Sequence, residues 1–578
     1  MATADDRSRP MDTARDRLER YGLDRVHTAV VATVLVGFVA RFYELGARTA
    51  HWDEGRVAYW VVDYAETGTV RYRPGIHGPF FQHVNEVVFG ALGATDFSMR
   101  VIVAVVTGFF PLVALCFRDR LRDVEVVALA GLLAFTPVVL YYSRFMRGDP
   151  LVAAFMVTAF ALFVRTVDTG RRRYFYAGVA FTALGFTVKE NALLYLLTWV
   201  GAAGLLLDHR LFRAADSDSD PAAVAVGYVR RVLATARRHV DALLLGVAEF
   251  LAVIVFFYAP RGRTGEGPGL GAALADPTLL PATVRVATVG SARKLWGHWV
   301  AGSGQDHPYL PYLADFLVTL RHGALAVCLL AVVGFVADRY RDGGPSDLVS
   351  FAAYWGFVSV LGYPLVTDIK APWATLHAVV PLAIPAAVGV GLFVRWGRDA
   401  VADDDAVSAA VAMLVLLAVA GQVVVAGVGG VYQSPPPDEN ELVQYAQPAG
   451  DVQSVMRTLD EAAAGHEGTD VVLYGDYFVT DPNATGPLRP ACSPWTNVLP
   501  LPWYFERADA DVACAGSPDQ FVRTVEQSRP PVVVARPIDE SRFSTVLSGY
   551  ESRTHLMRGW DTEVDFYVRE EYTNGSAG

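Results

Sequence analysis

The sequence predicts a mainly α-helical, polytopic membrane protein with a small α/β domain at its C-terminal end. Of the 578 residues, 53% are hydrophobic and only 19% are charged, whereas a soluble protein carries about 25% charged residues. Apolar runs of about 20 residues, the length that crosses the hydrocarbon core, recur between residues 27 and 432. Beyond residue 432 the apolar runs are short, which is typical of buried strands.

About eleven apolar runs are candidates for transmembrane helices. The first is not typical of a cleavable signal peptide, because it follows a long charged segment and lacks a convincing small-residue cleavage site. We expect the spans near residues 27–45, 100–117, 124–142, 150–166, 174–188, 191–207, 242–259, 315–337, 348–366, 374–395 and 406–432.

The distribution of arginine predicts the orientation of these spans in the cell membrane. Residues 1–26 are rich in arginine, so the positive-inside rule predicts a cytoplasmic N-terminal segment. Alternation then places further arginines on the same side, in the loops that hold Arg118, Arg120, Arg122, Arg171, Arg172, Arg173, Arg230, Arg231, Arg237, Arg238, Arg395 and Arg398. The odd number of crossings puts residues 433–578 outside the cell, after a transmembrane domain over 27–432.

The C-terminal part differs in kind from the membrane part. Pro435-Pro436-Pro437 predicts a stiff exit from the membrane. The pattern over 438–464 predicts a helix, and 470–474 and 531–534 read as buried strands. The sequence therefore predicts a small α/β domain, in which Cys492 and Cys514 could form a disulfide if the domain faces outside.

Composition and motifs exclude several functions. The net charge of −11 argues against a general nucleic-acid binder. The chain has no Walker-type loop, no dinucleotide fingerprint and no cluster with zinc-like spacing, so neither an ATP-driven pump nor a zinc site is predicted. The only lysines are Lys189, Lys294 and Lys370, and Asp-rich loops occur near 216–220 and 403–405. This composition favours an organism that lives in high salt.

The candidate site starts from the stretch His51-Trp52-Asp53-Glu54-Gly55, which follows the first apolar run. Two adjacent carboxylates at the water boundary of a membrane protein could act on a substrate there. The predicted external loops also hold basic residues, against the positive-inside bias, and an anion such as a lipid phosphate explains them most simply. Among the residues of these loops are the basic residues Arg144, Arg147, Lys189 and Lys370, and with them His77, Asp149 and Glu190.

Each candidate also has a simpler interpretation. Asp53 could cap a helix that begins at Glu54, and Asp149, before Pro150, is better explained as a cap than as a ligand. Lys189 and Glu190 could form a local ion pair, and His77 could only shape the turn before Gly78-Pro79. Arg144 and Arg147 share a face if that loop is helical, and could contact lipid headgroups or Asp149 instead of a substrate.

Several short motifs follow the first span in a fixed order over residues 25–400. After Asp53-Glu54 come His77-Gly78-Pro79-Phe80-Phe81, Leu92-Gly93-Ala94-Thr95-Asp96-Phe97-Ser98-Met99-Arg100, Tyr142-Ser143-Arg144-Phe145-Met146-Arg147-Gly148-Asp149, Thr187-Val188-Lys189-Glu190-Asn191 and Ala371-Pro372-Trp373 through Pro381-Leu382-Ala383. As a set they resemble GT-C membrane glycosyltransferases, and are similar to protein O-mannosyltransferases and lipid A aminoarabinose transferases. The resemblance is closest to the archaeal flippase-activity-associated glycosyltransferase-like proteins, typical of halophiles.

This resemblance implies a reaction and a set of partners. A sugar would leave a polyprenyl (dolichyl) phosphate and move to a protein or glycan acceptor on the external face, with no nucleotide needed. Asp53 would be the catalytic base, supported by Glu54, and Arg147 would hold the donor phosphate with Arg144 and with Lys189 or Lys370. Thr375-Leu376-His377 departs from the aromatic-rich run of the family, which leaves the lipid-phosphate contact there open. The sugar, the acceptor and any divalent ion stay open too.

Two other functions compete with transfer. A non-catalytic flippase, or a flippase-associated protein, would also bind a lipid phosphate, but it would not need a base such as Asp53. An ion-coupled transporter would need ionisable residues in the middle of its spans. The apolar runs are nearly free of such residues apart from Glu249, so a transporter is the least favoured interpretation.

Overall fold

The computed structural model describes residues 24–75, 77–216, 220–299, 307–367, 369–433, 439–486, 488–538, 540–558 and 561–573. Most of the predicted cytoplasmic segment 1–26 and the predicted Pro435-Pro436-Pro437 exit lie outside these residues. The described part is mainly helical, with one small sheet near its C-terminal end.

Nine helices in the described part are long and apolar enough to cross a membrane. They are Arg25–Phe42, Ser98–Phe117, Gly148–Thr169, Ala192–Arg213, Val240–Tyr258, Tyr309–Arg339, Asp347–Val366, Pro372–Ala402 and Ala406–Tyr432. The helix Tyr309–Arg339 is kinked at Ala324, whose backbone is not helical. These nine helices coincide with nine of the predicted spans, so the prediction of a polytopic helical membrane protein is confirmed.

The other two predicted spans are also helical but shorter. Arg172–Val188 has 17 residues. The run predicted over 124–142 is broken into the helices Asp123–Phe135 and Pro137–Tyr142. The break is at Thr136, and Pro137 opens the second helix, because a proline cannot donate a backbone hydrogen bond within a continuous helix.

The loops between the helices sort into two faces of the bundle. On one, which we call the far face, arginines pair with carboxylates of other loops: Arg118 with Asp24 at 2.7 Å, Arg120 with Asp168 at 2.6 Å and Arg395 with Glu125 at 2.7 Å. The opposite end, the near face, holds Asp53 and the C-terminal region. The far-face loops are those in which the sequence places its cytoplasmic arginines.

Shorter helices lie between the spans. The near face carries Trp52–Thr67, Phe80–Leu92, Leu270–Ala275, Leu280–Arg285 and Ser291–Trp299. A β-bridge between Val70 and Arg261 joins the first near-face loop to the loop after Val240–Tyr258. The helix Pro221–Arg238 lies between two spans at the far face.

The C-terminal region forms a five-stranded sheet flanked by helices. The strands are β1 Val471–Tyr474, β2 Val512–Ala515, β3 Val532–Ala535, β4 Tyr550–Met557 and β5 Thr562–Arg569, in the spatial order β2-β1-β3-β5-β4. Strand β1 is parallel to β2 and β3, and β5 is antiparallel to β3 and β4. Helices Val452–Ala463, Trp495–Val498, Leu501–Arg507 and Pro518–Ser528 complete the region, which confirms the predicted α/β domain.

Details of this region differ from the sequence expectation. The helix predicted over 438–464 is wrong in its first half, because only Val452–Ala463 is helical. The preceding segment is held in an irregular conformation by the membrane part: the Tyr142 hydroxyl donates to the Leu442 carbonyl at 2.7 Å. The two predicted strands are present as β1 and β3. A disulfide joins Cys492 to Cys514.

The sheet domain packs directly onto the near face. The backbone N–H of Ala50 donates to the Tyr504 hydroxyl at 2.8 Å, and the Trp503 indole donates to Asp96 at 3.0 Å. A side chain at Gly55 would collide with Pro500, because a Cβ there would lie 2.6 Å from the proline Cβ. The glycine therefore lets the helix Trp52–Thr67 and the C-terminal region meet beside Asp53.

Candidate active site

The helix that carries the two carboxylates begins one residue before them. Its N-cap is His51, whose Nδ1 accepts from the backbone N–H of Asp53 at 3.0 Å. The Glu54 carboxylate accepts in return from the His51 backbone N–H at 2.9 Å, which completes a capping box. The interpretation of Asp53 as the helix cap is therefore wrong, and its carboxylate is available for other contacts.

Asp53 is buried and faces cations. Its Oδ2 accepts from Arg147 Nη1 at 2.7 Å, and its Oδ1 accepts from Arg56 at 3.2 Å. Gln444 of the C-terminal region lies 3.5 Å from Oδ2. Burial alone would raise the pKa of Asp53, but Arg147 and Arg56 outweigh it and hold that pKa well below its usual value. Asp53 is therefore ionised throughout the physiological pH range.

Glu54 has a different environment from its neighbour. Arg100 donates to both of its oxygens at 2.8 Å, and the backbone N–H of Met146 donates to Oε1 at 2.7 Å. Arg48 lies 3.3 Å away on the same carboxylate. Burial acts to raise the pKa of Glu54. Arg100 and Arg48 lower that pKa by more than burial raises it, so the net shift is downward. Because protein donors occupy both oxygens, the geometry favours a positioning role for Glu54.

Asp149 lies at the centre of the site, and its interpretation as a helix cap is wrong. The helix begins at Gly148 with Arg147 in the N-cap position, where no side chain caps it. The Asp149 carboxylate is fully buried and accepts from Lys189 at 3.0 Å, Arg147 Nε at 3.0 Å and Asn191 at 3.0 Å. It also lies 3.1 Å from His377 Nε2. We call Asp53, Arg147, Asp149, Lys189 and His377 the central cluster.

Glycines allow the loops of the cluster to approach each other. A side chain at Gly78 would collide with the carbonyl oxygen of Thr187, and the Gly78 N–H donates to the Val188 carbonyl at 2.6 Å. A Cβ at Gly148 would lie 3.3 Å from both His77 Nδ1 and the Lys189 Cβ. The three predicted motifs that contain His77, Arg147 and Lys189 therefore meet at one point.

Trp373 closes one side of the cluster. The Lys189 ammonium lies 3.8 Å from the centre of a Trp373 ring, and the Arg147 guanidinium lies 4.8 Å from it. Both distances are within the range of cation–π attraction. The aromatic ring therefore supports the two cations that also face Asp149.

Several buried polar atoms around the cluster have no hydrogen-bond partner among the residues that the structure describes. Both ring nitrogens of His77 lack one, as do Trp373 Nε1, Tyr363 Oη and Asn191 Oδ1. His77 also has a φ of 92°, a conformation that non-glycine residues rarely adopt and that is concentrated at functional sites. Burial lowers the pKa of His77 to about 3, so the ring is neutral at physiological pH. Buried groups of this kind normally bond to something, which points to a polar ligand.

Besides Glu54 and His77, which lie beside the central cluster, three predicted site residues make their contacts away from it. Arg144 donates to the backbone carbonyls of Ala40, Arg41, Tyr43 and Glu44 at the end of the first span. The loop 143–147 is not helical, so Arg144 and Arg147 do not share a face. Lys370 is exposed and pairs with Asp315 at 2.7 Å. Glu190 accepts from the Tyr72 hydroxyl, and Lys189 pairs with Asp149 rather than with Glu190.

Other residues of the site escaped the sequence interpretation. In the sequence, His377 stands out only as a departure from an aromatic-rich run. In the structure it contacts Asp149, and the Tyr195 hydroxyl lies 2.7 Å from its Nδ1. Arg100 ends the motif that runs from Leu92 to Arg100. An arginine next to an apolar run could have been recognised as the partner of a buried carboxylate, which is Glu54 in the structure. Gln444 had no signal, because it enters the site from an irregular segment.

The charges of the site leave an excess of positive charge. Arg56, Arg147 and Lys189 face Asp53 and Asp149, so cations outnumber carboxylates by one. Within the described ranges, no group of three or more His, Cys, Asp or Glu side chains could hold a metal ion. Because the cations exceed the carboxylates by one, an anion with a single negative charge would neutralise the site.

Two family models match parts of the chain. Residues 76–216 match the dolichyl-phosphate-mannose-protein mannosyltransferase model, and residues 452–569 match the C-terminal domain of the Agl23 flippase-associated protein. The first match covers His77, Arg147, Asp149 and Lys189, and the second covers the whole sheet. A comparison with curated protein sequences gave no match.

Solved structures resemble the chain over most of its length. ArnT from Cupriavidus metallidurans in the apo state has a TM-score of 0.53 at 17% identity, over 94% of this chain and 98% of ArnT. The structure of the same protein bound to undecaprenyl phosphate has a TM-score of 0.51 at 16% identity, over 95% of this chain and 99% of ArnT. An Archaeoglobus fulgidus oligosaccharyltransferase tethered to an acceptor peptide has a TM-score of 0.50 at 12% identity, over 93% of this chain and 73% of the oligosaccharyltransferase. The shared fold is the GT-C fold, and the resemblance predicted from the sequence is confirmed.

Proposed function

We propose that this chain, a GT-C membrane protein that joins a mannosyltransferase-like region to an Agl23-type C-terminal domain, is a glycosyltransferase. It moves a sugar, for which a hexose is the expectation, from a polyprenyl (dolichyl) phosphate to a protein or glycan acceptor. One observation carries the proposal: Arg147 joins the carboxylates of Asp53 and Asp149 in a site with excess positive charge and unpartnered buried polar atoms.

The donor phosphate binds at Arg147 and Lys189 in this proposal. Both cations are largely buried, and both already have carboxylate partners, so a phosphodiester brings the single negative charge that the site lacks. A guanidinium can bond two oxygens of a phosphate at once, and the lysine adds a point charge. Lipid-phosphate binding in ArnT, which was solved with undecaprenyl phosphate, supports this choice of ligand.

Asp53 acts as the base of the transfer. The acceptor hydroxyl attacks the anomeric carbon of the sugar and gives its proton to Asp53. The bond between that carbon and the phosphate oxygen breaks, and the oxygen leaves with the bonding electrons as polyprenyl phosphate. Arg147 and Lys189 stabilise the charge that develops on the leaving group.

Donor binding also changes the basicity of Asp53. In the free protein the ion pair with Arg147 lowers the pKa of Asp53, and a carboxylate held in this way is a weak base. A phosphate that draws the guanidinium towards itself weakens this ion pair. The pKa of Asp53 then rises at the moment when the donor is in place, so the proposal couples the base to the presence of the donor.

The sugar and the acceptor occupy the two sides of Asp53. The unpartnered atoms of His77, Trp373 and Tyr363 can bond sugar hydroxyls, and we assign the substrate-binding role to His77 on this basis. Asp149 positions Arg147, Lys189 and His377 rather than contacting substrate. Gln444 brings the C-terminal region to within 3.5 Å of Asp53, so this region can help to select the acceptor.

The orientation of the chain follows the arginine distribution in this proposal. The far face, with its arginine-rich loops, is cytoplasmic, and the near face with the site and the C-terminal domain is external. A disulfide between Cys492 and Cys514 agrees with an oxidising compartment outside the cell. The composition supports an archaeal, halophilic source.

A second function has its own observation in support. The C-terminal match is to a flippase-associated protein, so a non-catalytic role in handling lipid-linked sugars is the alternative. Both functions need Arg147 and Lys189 to bind a lipid phosphate. Only transfer needs a carboxylate that accepts a proton, so Asp53 separates the two.

The test compares Asp53→Asn with Asp63→Asn, a variant on the same helix. Asp63 lies outside the central cluster, so its substitution controls for the loss of a carboxylate from this helix. Each variant replaces the natural protein in its host, and surface glycans and lipid-linked sugars are analysed by mass spectrometry. Transfer predicts that Asp53→Asn removes one sugar from the glycans while its lipid-linked donor accumulates.

The outcomes distinguish the functions. Glycans and donor levels unchanged by Asp53→Asn, in a variant that reaches the membrane in normal amount, would exclude Asp53 as the base. Loss of the sugar in Arg147→Gln but not in Asp53→Asn would favour the non-catalytic alternative. The control Asp63→Asn should leave both measurements unchanged.

A further inference from the structure

A basic amphipathic helix lies between two spans at the far face. Pro221–Arg238, which we call the arginine helix, separates the helix Ala192–Asp216 from the helix Val240–Tyr258. It contains no acidic residue, in a chain whose net charge is −11. It is not among the helices that are apolar enough to cross a membrane.

The two sides of the arginine helix have opposite character. At 100° per residue, Val226, Val229, Val232 and Leu233 fall within one arc of about 120°, and Arg230, Arg231, Arg237 and Arg238 fall within the adjoining arc of about 120°. None of its residues is buried, and the four apolar side chains are 47%, 59%, 66% and 50% exposed. Both sides are therefore largely exposed in the part of the chain that the structure describes.

The arginines of this helix differ from five other arginines of the far face. Arg118, Arg120, Arg165, Arg172 and Arg395 each pair with a carboxylate. In the part of the chain that the structure describes, Arg230, Arg231, Arg237 and Arg238 have no carboxylate within ion-pair distance. Four neighbouring cations without counter-charges attract anions from outside the protein.

The surrounding contacts fix the helix at the membrane boundary. The Arg210 guanidinium donates to the Tyr228 hydroxyl at 2.6 Å and also pairs with Asp347, which begins another span. Just after the arginine helix, His239 is not helical, and the next span starts at Val240. The helix is therefore held at its middle by Arg210 and is joined at its C-terminal end to the span Val240–Tyr258.

We propose that the arginine helix lies in the membrane interface at the far face and binds anionic lipid headgroups there. Its valine and leucine side chains enter the acyl region, and its four arginines contact headgroup phosphates. This arrangement is the one in which a basic amphipathic helix with an uncovered apolar side is stable at a bilayer surface. The inference does not depend on the proposed transferase activity.

The first experiment measures how deeply the two sides are immersed. Cys116 and Cys328 are replaced by Ala, and a nitroxide is attached at Val232→Cys on the apolar side or at Ala234→Cys on the basic side. The full chain is reconstituted in bilayers of phosphatidylcholine and phosphatidylglycerol. We expect the label at 232 to be accessible to oxygen and the label at 234 to a water-soluble nickel complex.

Two results of that experiment would overturn the proposal. Equal access of the nickel complex to both labels would show that the helix is in water. A label at 232 that is immobile and inaccessible to both relaxing agents would show that protein, such as a second copy of the chain, covers the apolar side.

The second experiment tests the lipid charge. Arg230, Arg231, Arg237 and Arg238 are all changed to Gln in one variant and all to Lys in its control. After reconstitution with equal amounts of the two lipids, native mass spectrometry gives the ratio of phosphatidylglycerol to phosphatidylcholine retained by each protein. In the Gln variant, the ratio of phosphatidylglycerol to phosphatidylcholine should fall at least about fivefold. A factor of that size corresponds to the attraction of roughly one arginine to a charged membrane surface.

The Lys control should keep most of the enrichment, because lysine retains the charge. Equal enrichment in the natural protein and in both variants would refute a headgroup site on this helix. Loss of enrichment in the Lys variant as well as in the Gln variant would refute the electrostatic basis of the proposal.

Discussion

Arg147 and Asp53 form an ion pair in which Nη1 lies 2.7 Å from Oδ2, although 94 residues separate them in the chain. The Nε of the same guanidinium lies 3.0 Å from Asp149. One cation therefore holds together the proposed base and the carboxylate at the centre of the site. Any anion that binds Arg147 must change the environment of Asp53.

Arg147→Gln should greatly lower the rate of transfer, whereas Arg144→Gln should leave the chemistry intact. Loss of a preorganised cation at a developing negative charge costs about a hundredfold to a thousandfold in rate. Within the described residues, Arg144 donates only to backbone carbonyls at the end of the first span, so its loss should lower stability instead. Transfer rates and melting temperatures of the two purified variants check this. Equal loss of rate in both, at equal amounts of folded protein, would contradict the separation of the two arginines.

Glu54→Gln should destabilise the fold, whereas Asp53→Asn should mainly remove activity. Glu54 and Arg100 are both buried, and removal of one partner of such a pair costs about 3–5 kcal/mol. Thermal unfolding in detergent should show a clear fall for Glu54→Gln. Loss of a base should cost Asp53→Asn about a hundredfold or more in rate. A stable, folded Glu54→Gln protein without activity would instead give Glu54 a catalytic role.

Lys189→Met should weaken donor binding much more than Lys370→Met. Lys189 contacts Asp149 and a Trp373 ring inside the central cluster, whereas Lys370 is exposed beside Asp315. An exposed ion pair contributes little, about 0–1 kcal/mol. The KM for the lipid-linked donor should rise at least about tenfold in the first variant and change little in the second. Similar KM increases in both variants would place Lys370 at the donor.

Glu506 should make the stability of the protein depend on pH. Burial raises the pKa of Glu506 to about 7, with Glu66 and Asp63 adding to the rise and Arg489 opposing it. The unfolded chain loses this proton near pH 4.3, at about the usual value for glutamate. Between the two values the folded state binds more protons, so its stability falls as pH rises.

The variant Glu506→Gln isolates this effect, because it stays neutral at every pH. Its melting temperature should equal that of the natural protein near pH 4 and exceed it near pH 8, with the difference growing between about 4.3 and 7. Glu563→Gln is a control for the loss of a glutamate from this domain, since Glu563 is exposed on strand β5. A constant difference across the whole pH range would contradict the raised pKa of Glu506.

The sequence indicated which loops form the candidate site better than it indicated which side chains contact each other there. The motifs that carry the family resemblance, such as His77-Gly78-Pro79, lie far apart in the chain, and the structure brings their loops together. The capping interpretations of Asp53 and Asp149 were wrong, because His51 and Arg147 occupy the cap positions. Local rules for helix ends describe residues that are adjacent in the chain, whereas Asp149 is held by groups 40 and 228 residues away.

The sequence by itself determined the class of fold, the succession of helices and the nature of the C-terminal domain. These follow from the length and spacing of apolar runs, which depend only on neighbouring residues and on the thickness of a membrane. Only the tertiary structure decided that Arg147 lies in the central cluster while Arg144 and Lys370 lie away from it, and that His377 and Gln444 contact its carboxylates. Those assignments depend on the direction of single side chains at the meeting point of several loops, which composition and spacing do not specify.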